Sequence, residues 1–274
     1  MILVHLTELI TFGKNLPVGL ASKFRKLLLD KFGYYLHEAK TMSVGTDYAV
    51  DLVDKVGLKP NTIFDIGANI GQTVEFYRDI YPNASIYSFE PIPKTFGELE
   101  QKCAGMKNVN AFNIAFGEKK ESMQIQVVKD ETSVVNSLSD KFQDNLKSDS
   151  ESYETVNIQV ERLDDFVKQN EIEKIDLLKI DTEGYEVQVL NGAADLLASG
   201  KVSAIICEAG FMRSNPHNTY FGDINDILEK HGYALFGIYE MGHIGFKKGK
   251  HYGNLLYLSK DYRENEYKNW QIGY

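Results

Sequence analysis

A chain of 274 residues with 43% hydrophobic and 25% charged side chains has ordinary globular composition and ample material for a core. A formal net charge of -9 excludes a broad basic footprint for nucleic acid, and no uncharged run reaches the roughly 18 residues that span a bilayer. The start lacks a basic n-region and the two cysteines, Cys103 and Cys207, have no metal-ligand spacing, so a soluble, cytoplasmic protein without a signal peptide is expected.

Residues 1–45 stand apart. Leu20, Phe24, Leu27, Leu28 and Phe32 recur at helical spacing, with Lys23, Arg25, Lys26 and Lys31 among them. This predicts a helical extension that packs on the main domain or joins two copies in a homodimer; a substrate cap or a membrane-surface contact are its other uses. The main domain is predicted over 46–274. It opens with a helix from Thr46 to Val56, with Ala49, Val50, Val53 and Val56 on one face and Gly57 as the stop. Short apolar runs then predict strands over 62–66, 85–90, 109–115, 122–128, 155–160, 175–181, 202–208, 233–239 and 253–259. Helical stretches fall near 71–80, 93–104, 163–169, 185–198 and 220–231, and Pro93 suits a first turn because the missing N–H has no partner there. Such alternation predicts an α/β fold, a doubly wound and mostly parallel sheet with right-handed crossovers. The last two strands lie too close for a crossover helix and predict an antiparallel hairpin at one edge. Residues 129–152, rich in Ser, Asp, Asn and Lys, read as a solvated connector or as a lid over a pocket.

Four apolar runs end in an acid: Ile63-Phe64-Asp65, Ile86 to Glu90, Leu177 to Asp181 and Ile205 to Glu208. Parallel sheets bind ligands beyond the carboxyl ends of their strands, so these acids are expected to line one pocket. The first acid opens the loop Asp65-Ile66-Gly67-Ala68-Asn69-Ile70-Gly71-Gln72-Thr73, whose glycines admit close approach of a ligand. Its G-x-x-x-G spacing lacks the dense glycine turn that a pyrophosphate needs. It suits an adenosine on a short amino-acid tail, S-adenosylmethionine, better than a dinucleotide. Glu90 lies 19 residues past Gly71, where a carboxylate can accept both hydroxyls of a ribose, and Pro91 and Pro93 hold it at the rim. Asn113 and Ala115 close the third strand beside the expected adenine position. In the stretch Lys179-Ile180-Asp181-Thr182-Glu183-Gly184-Tyr185-Glu186, Asp181 and Glu183 project toward the reacting end and Gly184 turns the chain. Lys179 reads as an ion-pair partner or a site residue, and Glu186 as a charge favoured by a helix start. His217 follows Glu208 on a loop, where it is a surface residue, a substrate contact or a base. His243 and His251 read as surface or rim. Asp181, Glu183 and Glu208 offer the carboxylates that Mg²⁺ prefers, but no metal is assigned.

At these motifs the sequence resembles the FkbM family of methyltransferases. The family's D-x-G-A-N-x-G loop stands here as Asp65–Gly71, its F-E-P strand end as Phe89-Glu90-Pro91, and its K-x-D-x-E-G-x-E segment as Lys179–Glu186. Its V-L-x-G-A run is Val189-Leu190-Asn191-Gly192-Ala193, and Val160–Asp165 matches its strand into an L-D turn. Thr182 departs from the small apolar residue common there. The resemblance covers roughly residues 60–240. It implies the class I methyltransferase fold, a seven-stranded Rossmann-like sheet, and typically methylation of hydroxyls on sugars or related small molecules.

Methyl transfer from a sulfonium is a displacement at carbon, so the protein positions and desolvates. A sugar hydroxyl is a poor nucleophile at neutral pH, so a carboxylate is expected to take its proton. Asp181 is assigned that role, Glu183 orients the acceptor, and His217 is the reserve base. N-methylation, a nicotinamide-dependent oxidoreductase and a non-catalytic cofactor-binding protein are the rival readings.

Overall fold

The computed structural model describes residues 42–128, 153–215, 217–242 and 250–266, together with Lys31, Leu138 and Gln143. The chain divides into two compact units, residues 1–43 and 44–274. The expected helix over 20–32 except Lys31, the segment 129–152 except Leu138 and Gln143, and His243 lie outside the described residues.

In the second unit a seven-stranded sheet runs in the order β3 (Val109–Phe112), β2 (Ser85–Phe89), β1 (Thr62–Ile66), β7 (Ile175–Ile180), β8 (Val202–Gly210), β10 (Tyr252–Leu258), β9 (Ala234–Gly242). Neighbours from β3 through β8 are parallel, and β10 is antiparallel to both β8 and β9. The expected hairpin is therefore present, with β10 slotted between β8 and the edge strand. Strand order reverses between β1 and β7, which is where open parallel sheets leave a crevice. The connecting helices are α1 (Tyr48–Val50), α2 (Gln72–Ile80), α3 (Pro93–Cys103), α4 (Leu163–Gln169), α5 (Glu186–Asn191), α6 (Ala194–Ala198), α7 (Phe221–Lys230) and α8 (Lys260–Glu266). Among the described residues, none of the helices is long and apolar enough to cross a membrane.

The strand sequences explain why both faces are covered. Successive residues point to opposite faces, and the central strands are apolar at both. Ile63, Ile86, Leu177 and Ala204 join Leu52, Tyr77 and Leu256 in one buried cluster. Their neighbours Phe64, Leu178 and Ile205 join Phe89, Phe166 and Leu190 in another. Each Ile, Leu or Phe among them contributes about 1.5–3 kcal/mol when fully buried. Phe89 stacks on Phe112 at 5.2 Å and meets Phe116 and Phe166 edge-on at 4.7 and 5.1 Å, an aromatic box next to the end of β2. Cys103 and Cys207 are buried free thiols.

Three expected elements break where a side chain or close packing demands it. The strand expected over 109–115 stops at Phe112, because the Asn113 amide donates to the carbonyls of Glu90 and Pro91, both at 2.9 Å. The chain then restarts as β4 (Ala115–Phe116), which joins β5 (Glu121–Val128) and β6 (Tyr153–Glu161) in a separate three-stranded sheet ordered β4-β6-β5. The helix expected over 185–198 divides into α5 and α6, because Gly192 lies against the Gly117 carbonyl so closely that a Cβ would come within 2.1 Å of it. The helix expected over 46–56 reaches only Val50 before widening into a π-helical turn, Asp51–Lys55. That turn places the buried Asp51 carboxylate between Lys55 Nζ at 2.7 Å and, on its other oxygen, the Tyr239 hydroxyl and the Gly45 N–H, both at 2.8 Å. A pattern of apolar positions carries no sign of such an anchor.

Removing the tyrosine's share of this anchor gives a direct measure of it. Tyr239→Phe should lower stability by about 1.5–3 kcal/mol, the usual worth of a hydrogen bond to a charged group. Urea unfolding should show a lower midpoint at unchanged slope; an unchanged midpoint would mean the bond carries no stability.

Candidate functional site

The carboxyl ends of β1, β2 and β7 open into a cleft of about 280 Å³. Its walls bring together ten of the residues singled out by sequence: Gly67, Ala68, Asn69, Gln72, Thr73, Glu90, Pro91, Ala115, Asp181 and Glu183. Four others stand elsewhere. Asp65 is fully buried within β1, and Gly71 caps α2 in the left-handed region at φ 85°. Asn113 has its amide nitrogen committed to backbone carbonyls, so Ile114 and Ala115 line the slot beside it. His217 lies in the loop after β8, its N–H donating to Asn215 Oδ1 at 2.9 Å. Of the expected row of four acids, Glu90 and Asp181 line the cleft and Asp65 and Glu208 do not; Glu183, from the turn after β7, joins the wall.

The glycine loop owes its shape to the neighbouring strand. A Cβ on Gly67 would lie 1.8 Å from the Asp181 carbonyl oxygen, and Gly67 has φ 80°, so only glycine fits. The Gly67 and Ala68 N–H groups both donate to the Phe89 carbonyl at 3.0 Å, and Asn69 follows at φ 49°. Glu90 is thereby gripped from two sides: Oε2 accepts from Asn69 N–H at 3.1 Å and Oε1 from Ile92 N–H at 3.0 Å. Burial raises its pKa to about 7, against the pull of those two donors. Each oxygen keeps a lone pair for a ligand.

On the β2 and β3 side the cleft is apolar, lined by Ile92, Ile114, Phe116, Ile125 and Leu138. Ile125 comes from the three-stranded sheet, where Ile125 and Val127 are buried between more exposed neighbours. Sequence reasoning missed this wall, although the alternation in β5 signals a buried face. On the β7 side the cleft is ionic. Lys179 Nζ sits 3.2 Å from Asp65 Oδ1 and 3.2 Å from Asp181 Oδ2. Burial alone would favour its loss of a proton, but Asp181 and then Asp65 more than offset this and raise its pKa. Asp65 is pushed up by burial against the pull of Lys179.

Asp181, Glu183 and Glu208 each bring a carboxylate oxygen within 4.8 Å of the other two. Burial and then Asp181 raise the Glu183 pKa to about 8, with Glu186 adding to the rise. Burial, Asp181 and Glu183 raise Glu208 to about 9. Neutral pH therefore leaves protons on Glu183 and Glu208, and among the described residues Asp181, Glu183 and Glu208 together could hold a divalent cation in their place. Glu208 also accepts from Asn218 Nδ2 at 2.5 Å, and Asn215 ties Asn218 to His251 at 2.6 and 3.1 Å.

A doubly wound sheet in this order, with one antiparallel strand beside its edge and a cleft at the reversal point, is the class I methyltransferase fold. Residues 65–235 match the Methyltransferase FkbM domain, and the chain belongs to that family. It is 28% identical over 187 residues to Methyltransferase 1 of Beauveria bassiana, covering 61% of this chain and 74% of that one. It is 24% identical over 147 residues to the 2-O-methyltransferase NoeI of Sinorhizobium fredii, covering 51% and 60%. Among solved structures, fibrillarin of Aeropyrum pernix with natively bound S-adenosyl-L-methionine aligns with TM-score 0.42 and 15% identity, over 74% and 68%.

The protein is a methyltransferase whose donor is S-adenosylmethionine. The cleft has the chemistry that this cofactor requires. Its apolar slot beside Ile114 would hold the base, the Glu90 carboxylate would accept the ribose hydroxyls, and Gly67, where a Cβ has no room, would lie close to the tail.

Two measurements bear on the site. Glu90→Ala should weaken binding of S-adenosylhomocysteine about ten- to hundredfold without unfolding the protein. Calorimetry giving an unchanged dissociation constant would remove Glu90 from the cofactor. The second concerns pH. Glu183 and Glu208 have folded pKa values raised above the ordinary carboxylate value, so the folded state favours their protonated forms. The stability this contributes is complete below about pH 4.5 and is lost as pH rises through about 8 to 9. The melting temperature should fall between pH 6 and pH 9, and Glu183→Gln should flatten that fall; equal slopes in both proteins would contradict it.

Proposed function

We propose that the protein methylates a hydroxyl oxygen of a sugar, glycan or related small molecule, and that Asp181 takes the hydroxyl proton. The observation that carries this reading is Asp181 itself. It follows β7 at the reversal of strand order, is one-third exposed, and has Lys179 on one oxygen and the protonatable Glu183 nearby. S-adenosylmethionine supplies the methyl group and the leaving thioether. Asp181 accepts the proton as the oxygen is alkylated, and Lys179 moderates the charge of a carboxylate that would otherwise face Glu183 and Glu208 alone. Glu183, holding its proton at neutral pH, donates a hydrogen bond to orient a neighbouring acceptor oxygen. Glu90 and the glycine loop hold the cofactor, and the apolar slot excludes water from its base. The name of the Sinorhizobium relative, a 2-O-methyltransferase, supports oxygen as the acceptor.

Residues 46–274 form the catalytic domain in this reading, with 1–45 outside it. Two buried free thiols suit a reducing, cytoplasmic setting.

Asp181→Asn preserves shape and removes basicity. Turnover on a hydroxyl acceptor, found by screening glycosides and matched amino sugars for methyl incorporation, should fall about 10²–10⁴-fold with near-normal melting temperature and cofactor affinity. Near-normal turnover in a stable variant would exclude Asp181 as the base, and methyl found only on nitrogen would exclude the hydroxyl acceptor.

A further inference from the structure

Glu186 opens α5, yet its side chain is buried and folded back on the turn before it. Its Oε1 accepts hydrogen bonds from the Thr182 N–H and the Thr182 hydroxyl, both at 2.9 Å, and from the Gly184 N–H at 3.1 Å. Its Oε2 accepts from the Gly184 N–H at 3.1 Å and from the Thr219 hydroxyl. The two backbone donors flank Glu183, a non-glycine residue in the left-handed region at φ 53°, with Gly184 following at 102°. Such a conformation persists only where its surroundings hold it. Here the holder is one carboxylate that grips the chain on both sides of the strained residue.

Thr219 belongs to a different element. It lies in the loop after β8, where its carbonyl accepts from the Gly210 N–H at 2.7 Å, and the adjacent Asn218 donates to Glu208 at 2.5 Å. The Glu186 carboxylate thus receives donors from the turn that carries Asp181 and Glu183 and from the loop that restrains Glu208. Burial raises its pKa, and the Thr219 hydroxyl leads the donors that oppose the rise. A charge-favoured helix start, the role expected from sequence, would leave the side chain in solvent.

We propose that Glu186 is a positioning residue that locks the turn 182–184 to the loop after β8, so that Asp181 and Glu183 beside that turn and Glu208, which the loop restrains, face a single acceptor position. It acts through the backbone around Glu183 and through Thr219. Its link to an acceptor rests on the function proposed above, whereas the mechanical coupling of the two elements does not.

The test reads the coupling first in the full chain without acceptor, by hydrogen–deuterium exchange. Thr219→Val keeps the shape and deletes the donor. It should speed exchange about tenfold both in the loop after β8 and in the distant-in-sequence turn 182–186, and Thr219→Ser should restore both. Glu186→Gln should reproduce the double effect. Faster exchange confined to the loop, or unchanged in both, overturns the proposal. With the hydroxyl acceptor that the glycoside screen yields, Thr219→Val should lower kcat about tenfold at unchanged KM for S-adenosylmethionine, with recovery in Thr219→Ser; an unaltered kcat alongside coupled exchange overturns the catalytic half. Failure to find any hydroxyl acceptor for the parent protein sinks the proposed reaction, while the exchange result still decides the coupling.

Discussion

Lys179 is the residue through which sheet and site become one structure. The register of β1 against β7 pairs Asp65 directly with Lys179, and Asp181 follows two residues later, so one largely covered ammonium stands between a carboxylate on β1 and one just past the end of β7. Burying such an array is expensive, and a well-packed apolar set of the same volume often serves stability as well or better. Its value here is positional. Lys179 gathers the two carboxylates across the gap where strand order reverses, and Gly67 lets the loop close onto the Asp181 carbonyl at the same level. Without that closure the loop could not present Asn69 N–H to Glu90, and the two walls of the cleft would lose their common reference.

From that reference the cleft acquires a direction. Toward β2 and β3 its lining is aliphatic and aromatic; toward β7 and β8 it is carboxylate. A ligand with a flat apolar base at one end and a cationic centre at the other satisfies both walls in one orientation only, since reversal would bury the charge against Ile114 and Phe116. Glu90 stands between the two regimes. Its raised pKa and its two backbone donors describe a carboxyl poised to share hydrogens with hydroxyls.

Much of this was legible in the sequence, for reasons that differ by residue. The parallel strands announce themselves because both faces are buried, so runs such as Ile63-Phe64 and Ile205-Ile206 are apolar without alternation. The glycine loop and the strand-end acids are local patterns, and ten of the candidate residues do meet in one cleft. What could not be read is what depends on contacts distant in sequence. Asp65 looks like a site acid, yet a lysine 114 positions away claims it. Asn113 looks like a base contact, yet its amide is spent on the turn at Pro91. Glu186 sits at a helix start by position, and only the approach of Thr219 shows why it is buried. The break into a second sheet was equally hidden, because Ala115-Phe116 continues the apolar run of β3 and only the Asn113 clamp separates them.

The acidic cluster also bears on which acceptors such a site can take. Three carboxylates within 4.8 Å repel one another, and the repulsion is relieved by retained protons on Glu183 and Glu208 rather than by a basic partner for each. A partly protonated cluster offers donors and acceptors side by side, which suits the proposed polyhydroxyl acceptor, whose every oxygen is both. A phosphodiester would bring its charge against Asp181 and a chain of net charge -9. A protonated amine would be drawn in, but its lone pair would be occupied and it would have to surrender a proton before it could react. The proposed hydroxyl acceptor needs no such prior step. In the proposed reaction its proton would leave as the new bond forms, and Asp181, the carboxylate already partnered by Lys179, would take it without adding a charge that the cluster cannot hold.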